Sequence, residues 1–317
     1  MARVGAVRGT CAPGPVGGVS VTRPARLAVG VVSAGRVGAV LGAALAAAGH
    51  TVVGASGVSR DSVRRAAELL PGVPLLPPDE VASRADLVLL AIPDDALEGT
   101  VRGLDAVGAL RAGQIVVHTS GAHGVDVLRP AAERGALPLA LHPAMTFAGR
   151  PEDLQRIPAC SFAVTADPAD EVAWSVGEAL VVEMGAEPVR VPQSARPLYH
   201  AALAHGANHL VTLVAECADL LRAAGVNPPE RLLGPLLSAA LDNALRHGDR
   251  ALTGPVARGD VGTLRVHLRV LAEADPGVLP SYRALALRTA ERAEAAGLLS
   301  PSTAAEVAAV LEEESPS

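Results

Sequence analysis

The chain has 317 residues, half of them hydrophobic and 19% charged, with a formal net charge of −6. At roughly 150 residues per domain that length suits two domains, each able to bury a core without disulfide staples. Only five residues are aromatic, Trp174, Tyr199, Tyr282, Phe147 and Phe162. An acidic, aromatic-poor chain lacks the basic stripe and stacking platforms of a nucleic-acid-binding protein. The sequence contains no lysine, so all 27 basic residues are arginine, and Schiff-base, Walker-type and lysine general-acid chemistry are excluded. Cys11, Cys160 and Cys217 are odd in number and far apart, the pattern of a reduced, cytoplasmic protein. No apolar run approaches the length of a membrane span. Residues 1–23 are rich in Gly, Pro and Val without an apolar h-region, which predicts a mobile tail rather than a signal peptide.

From Arg26 the pattern changes. LAVGVV is a buried-strand run, SAGRVG a turn, and AVLGAALAAAGH an Ala-rich helix with Gly49 at the C′ position. TVVGA follows as a second strand. This strand, turn, helix, strand order opens a dinucleotide-binding sheet. The alternation continues through a helix at 61–70, a short strand at 73–76 and a strong strand at 86–92, then strands at 114–118, 137–141 and 161–165. Alternating strands and helices predict a mostly parallel sheet covered on both faces. After Val191 the strand signals stop, and helices are expected over 195–224, 228–247, 260–273, 277–296 and 302–313. The expected architecture is therefore α/β, a Rossmann-type doubly wound parallel sheet over 24–191 followed by an all-α domain over 192–317.

The turn Ser33-Ala34-Gly35-Arg36-Val37-Gly38 fits the G-x-G-x-x-G phosphate-binding pattern with serine in place of its first glycine. In that pattern the second glycine lets backbone approach the pyrophosphate and the third lets helix pack on strand. NAD enzymes place a carboxylate about 20 residues further on, whereas an arginine accommodates the 2′-phosphate of NADP. Here the stretch reads Ser56-Gly-Val-Ser59-Arg60 with no carboxylate, which favours NADP over NAD.

Ligands in open α/β sheets bind outside the carboxyl ends of the strands. Three such ends carry polar residues: Ile92-Pro93-Asp94, His118-Thr119-Ser120 and His142-Pro143. His142 suits proton transfer to or from a substrate oxygen, since an imidazole titrates near neutrality. In the first long helix of the second half, His200, Ala204 and Asn208 fall on one stripe. That makes His200 an alternative acid and Asn208 a substrate ligand, each weighed against a helix-packing role. His205 and His209 have i, i+4 spacing but no third ligand, so no metal site is expected. Arg258 suits a substrate carboxylate or a salt bridge. Asp260 is a helix cap or part of the same site, and His267 lies on its helix face.

The order of elements and the helical second half resemble the superfamily of 6-phosphogluconate, 3-hydroxyisobutyrate, ketopantoate, pyrroline-5-carboxylate and prephenate dehydrogenases and reductases. Within it, VGVVSAGRVG, HTSG, LHPAMTF, YHAALAHGAN and LTGPVARGD are similar to a bacterial family that joins a Rossmann-like domain to a helical C-terminal domain of unknown function. The resemblance spans roughly residues 24–300. It implies an NADP-dependent oxidoreductase acting on the carbonyl or hydroxyl carbon of a small carboxylate, and a homodimer joined through a C-terminal domain like that of 6-phosphogluconate dehydrogenase. The family often lies near pantothenate-synthesis genes, which suggests a 2-oxo acid such as ketopantoate. Ser120 and His142 match the serine and histidine of the prephenate enzymes in type and placement. A prephenate-like dehydrogenase and a non-catalytic NADP-binding sensor are the alternatives.

Overall fold

A computed structural model describes residues 26–313, so the expected tail and Cys11 lie outside the described residues. Contacts divide the chain into two compact units, with the boundary between Ala201 and Ala202.

The first unit runs β1 (Ala28–Val32), α1 (Arg36–Ala47), β2 (Thr51–Ala55), α2 (Arg60–Leu69), α3 (Pro78–Arg84), β3 (Leu87–Leu90), α4 (Asp94–Ala106), β4 (Ile115–His118), α5 (Arg129–Glu133), β5 (Leu137–Pro143), α6 (Pro151–Arg156), β6 (Ser161–Thr165), α7 (Glu171–Glu183) and β7 (Glu187–Arg190). The strands form one sheet in the order β2-β1-β3-β4-β5-β6-β7. All neighbours are parallel except β5 and β6.

Side chains alternate across the sheet with the period of two that strands impose. Val29, Val31, Leu87, Leu89, Val117 and Leu139 pack with α1 and α7 on one face. Val32, Val88, Leu90 and Val116 pack with α3 and α4 on the other. Coverage of both faces explains why these strands read as unbroken apolar runs. Each fully buried Val or Leu contributes about 1.5–3 kcal/mol. The first helix ends as the sequence predicts, with Gly49 at φ 100° just beyond the C-cap Ala48.

Three local expectations are corrected. The strand expected at 73–76 shrinks to a single bridge between Ala55 and Leu75, because Pro74 and Pro77 lack the N–H a ladder needs. A strand not expected from the sequence, β7, follows α7. Its residues are half-buried or exposed, so its apolar signal is weak. The turn expected at 253–259 contains a short helix, Gly254–Arg258, with Pro255 as its second residue and Gly259 as its C-cap at φ 69°.

The long helix α8 (Arg196–Ala223) contains the boundary between the units. The second unit continues with α9 (Glu230–His247), α10 (Gly254–Arg258), α11 (Val261–Ala274), α12 (Leu279–Ala295) and α13 (Pro301–Glu312). Its core joins Val256, Leu264, Leu268, Ala290, Ala293, Val307 and Leu311 from the last four helices. No helix among the described residues is long and apolar enough to cross a membrane.

Candidate active site

The turn after β1 is held by its neighbour strand. Ser33 N–H donates to Ser56 Oγ at 2.8 Å and Ala34 N–H to the Ser56 carbonyl at 2.6 Å. Ser33 has φ 76°, the left-handed backbone a glycine adopts freely, so serine meets the geometry of the missing glycine at a steric cost. Ser33→Gly should therefore stabilise the protein by about 1 kcal/mol. A higher midpoint in thermal or urea unfolding checks this.

Gly35 is the N-cap of α1 and offers no side-chain cap, and the first helical turn holds no acid. A Cβ at Gly35 would meet only Ser33 Oγ, at 3.5 Å. The helix N-terminus thus presents open, uncapped N–H groups, the arrangement that accepts a phosphate. A Cβ at Gly38 would fall on the Ser33 carbonyl oxygen and 2.9 Å from Ala91 Cβ.

Other residues singled out for a cofactor divide by what holds them. The Ser56 hydroxyl is buried and committed to Ser33. Ser59 caps α2, accepting from Ser62 N–H at 3.0 Å. Arg60 is exposed at the first position of α2. Arg65, which sequence reasoning missed, lies on α2 with Arg60, and it and Arg36 both crowd Gly149, where a Cβ would lie 2.8 Å from Arg65 Nε and 2.9 Å from Arg36 Cγ. Ile92 follows β3, Pro93 is the N-cap of α4 and Asp94 its first residue. Thr119 is half-buried after β4, donating its N–H to Leu90.

The carboxyl ends of β4 and β5 meet the start of α8. His142, next to last in β5, brings Nδ1 to 2.8 Å from the Tyr199 hydroxyl. The His200 ring lies 6.3 Å away, centroid to centroid. Gly121 lies against both rings, where a Cβ would stand 2.9 Å from His142 Nε2 and 2.7 Å from His200 Cδ2, so only glycine lets the loop pass this close to them. Burial, then the Arg196 charge, then His200 lower His142 to about 4, with Asp94 opposing. Burial raises Tyr199. At neutral pH the pair is a neutral imidazole and a neutral phenol.

His118, fully buried at the end of β4, is held by two bonds that fix its tautomer. Nδ1 accepts from Ser120 N–H at 3.2 Å and Nε2 donates to the Gly124 carbonyl at 2.9 Å. Desolvation lowers it to about 4. Ser120 is a loop former here, its Oγ accepting the N–H groups of Ala122 and His123 at 3.2 and 3.1 Å.

The two depressed histidines give a pH prediction. Between about pH 4 and 6.5 the unfolded state binds more protons, so stability rises with pH and is lost as pH falls through that window. His118 alone accounts for about 3 kcal/mol by pH 4, to be read from urea unfolding across the range, and much less in His118→Gln.

The remaining candidates belong to the second unit. Asn208 and Arg258 are exposed. Asp260 caps α11, accepting from Thr263 N–H at 3.0 Å. That bond first, with Arg258 and His267 adding, lowers its carboxyl, so the three are electrostatic neighbours. His267 Nδ1 lies 2.9 Å from the Tyr282 hydroxyl, beside a cavity of about 500 Å³ lined by Cys217, Thr253 and Leu285. His205 and His209 bring their Nδ1 atoms to 2.8 Å. No group of three or more metal-type ligands occurs among the described residues.

Sequence reasoning missed Tyr199 and Arg196. The signal for them is composition, since the chain's two tyrosines each bond a histidine, and Arg196 stands in an otherwise apolar helix start.

Comparison with known proteins matches residues 14–143 to a Rossmann-like domain and residues 160–289 to a domain of unknown function, DUF2520. The chain joins a Rossmann-like domain to a DUF2520 region. None of the curated proteins compared matches it. Among solved structures, a Bacteroides fragilis protein described as a candidate NADP oxidoreductase is 22% identical, with a TM-score of 0.69 over 83% of this chain and 98% of that one. An imine reductase from Pseudomonas sp. is 20% identical, with a TM-score of 0.62 over 89% and 99%. The pyrroline carboxylate reductase of Plasmodium falciparum, with NADP bound, is 10% identical, with a TM-score of 0.54 over 90% and 98%. At these identities the likeness is one of fold, and the Rossmann-like domain is the part that bears the glycine turn.

Proposed function

We propose that this protein is an NADP-dependent oxidoreductase that reduces the carbonyl of a small 2-oxo carboxylate, or runs the reverse oxidation. The observation that carries the reading is the hydrogen-bonded His142–Tyr199 pair, set at the carboxyl end of β5 in the same mostly parallel sheet whose first strand ends in an uncapped glycine turn. The relatives of like fold that are named for NADP chemistry support it.

The residues fit the cofactor. Gly35 and the uncapped start of α1 hold the diphosphate. Arg60, aided by Arg65, takes the 2′-phosphate where a carboxylate would repel it, and Ile92, Pro93, Asp94 and Thr119 border the site. When bound, reduced NADP supplies the hydride.

The chain supplies the proton. With Tyr199 donating to His142 Nδ1, the ring carries its hydrogen on Nε2, on the side where Gly121 has no Cβ. A substrate oxygen gaining negative charge takes that Nε2 proton while the Tyr199 hydroxyl proton passes to Nδ1. The phenolate left on Tyr199 lies near the Arg196 guanidinium, whose carbon is 5.8 Å from the ring centroid, and solvent returns its proton. A neutral imidazole is the form this relay needs, and burial beside Arg196 keeps it so.

Titration of the purified protein with NADPH and NADH, followed by cofactor fluorescence, tests the cofactor assignment. The expected result is NADPH binding at least about tenfold tighter, the worth of one added charge contact. Binding of neither dinucleotide overturns it. A panel of 2-oxo acids headed by ketopantoate then tests the substrate.

The second unit of the protein serves as a dimer interface in this reading. Leu210 and Val211 on α8 and Leu232, Leu236, Leu241 and Leu245 on α9 are exposed, apolar surface that a subunit contact would remove from water. Sedimentation should give twice the monomer mass, and Leu236→Glu should shift it toward the monomer.

A further inference from the structure

Arg196 heads the fully buried side chains, and every acceptor that meets it is neutral. Nε donates to Thr165 Oγ1 at 2.8 Å, Nη1 to the Ser120 carbonyl at 2.9 Å, and Nη2 to the carbonyls of Ala140 and Ala163 at 2.9 and 3.0 Å. A buried guanidinium is ordinarily matched by a carboxylate. Here each of the three nitrogens has a hydrogen bond, but the charge is left uncancelled. Burial lowers the group to about 10, so it remains a cation at neutral pH.

Its position is set by four segments. The bonded atoms belong to the loop after β4, to β5 and to β6, and Arg196 itself opens α8. The charge therefore sits under the ends of the strands that carry His142, and its guanidinium faces the ring of Tyr199.

We propose that Arg196 sets the substrate class of the His142–Tyr199 site, drawing in anionic 2-oxo carboxylates and stabilising the developing alkoxide while turning away cationic iminium substrates. The physical cause is Coulombic. An uncompensated charge in a weakly screened interior attracts an anion and repels a cation at the same point, so the difference between the two is twice either effect. The groups facing His142 from each neighbouring element are Arg196, Tyr199 and His200 from α8 and Asp94 from α4. Asp94 is the only carboxylate among them, and its influence on the ring is smaller than those of Arg196 and His200. The proposal rests on reading this site as the substrate site, and it distinguishes this chain from an imine reductase of like fold.

The test reads binding to the cofactor-free protein by NMR of its ¹⁵N-labelled histidines, with His142→Gln assigning the His142 signals. Oxamate is the 2-oxo-acid probe and protonated pyrrolidine the cationic probe. In the wild-type protein oxamate should shift the His142 signals with an affinity at least about tenfold above that of pyrrolidine. Arg196→Lys, which keeps the charge, should retain the preference. Arg196→Gln should bring the two probes to parity and move the His142 titration upward by about one unit. Equal shifts with both probes in the wild type, no shift with either, or an Arg196→Gln protein that keeps the preference overturns the proposal. If Arg196→Gln does not fold, loss of the anion preference in either the wild type or Arg196→Lys still overturns the proposal. An anion preference that holds in a protein unable to bind NADPH would refute the proposed reaction and leave this inference standing.

Discussion

His142→Ala should lower kcat/KM by about 10²–10⁴-fold, the range spanned by a positioned proton donor, while NADPH affinity changes by less than about twofold. The two readouts separate because His142 stands at the end of β5 and the phosphate-binding turn after β1. Tyr199→Phe keeps the ring that packs beside Arg196 but removes the hydroxyl 2.8 Å from Nδ1, so it should lower kcat with little change in KM. Because the two residues form one relay, the double variant should be scarcely worse than His142→Ala alone. Stopped-flow measurement of NADPH oxidation with the best 2-oxo acid checks all three. Full activity in Tyr199→Phe would mean that Nδ1 needs no proton from Tyr199 and that the relay is not used.

The second large effect belongs to Gly38. A Cβ there collides with the Ser33 carbonyl oxygen and approaches Ala91 Cβ to 2.9 Å. Neither neighbour is the free end of a flexible side chain. One is backbone and the other a methyl held just beyond β3, where Ala91 N–H bonds the Val32 carbonyl, so α1 must move away from the turn. Gly38→Ala should cost about 1–3 kcal/mol, the range for overpacking a close-fitted contact, and should weaken NADPH binding by more than about tenfold. Ser33→Gly relaxes the same turn without moving the helix, so it should keep NADPH binding and raise the unfolding midpoint. Fluorescence titration and urea unfolding of the two variants side by side measure both effects.

The strand and helix order of the sheet was legible because buried strands leave an unbroken apolar signature, as in Leu87–Leu90, and because glycine punctuates helix ends, as at Gly49. The signal failed where local chemistry overrode pattern. Pro74 and Pro77 reduced an apolar run to one bridge, and β7 carries too little buried side chain to show. Within the site, His142 and His200 were legible from chain position at a strand end and on a helix stripe. Tyr199 and Arg196 were not, since their meaning lies in partners 57 residues away and between 31 and 76 residues away. Ser33 looked like a defect in the glycine pattern. Its φ of 76° shows that the backbone of the pattern persists with a different side chain on it.

The central claim is hydride transfer at a site whose proton comes from His142 and Tyr199. Its most direct test is a single turnover with 4-deuterated NADPH and a panel of 2-oxo acids, read by mass spectrometry of the product. The wild-type protein should place one deuterium on the carbinol carbon of a 2-hydroxy acid, and His142→Ala almost none over the same interval. Deuterium that stays on bound NADPH with every 2-oxo acid, or transfer that is equally fast in His142→Ala, would contradict it.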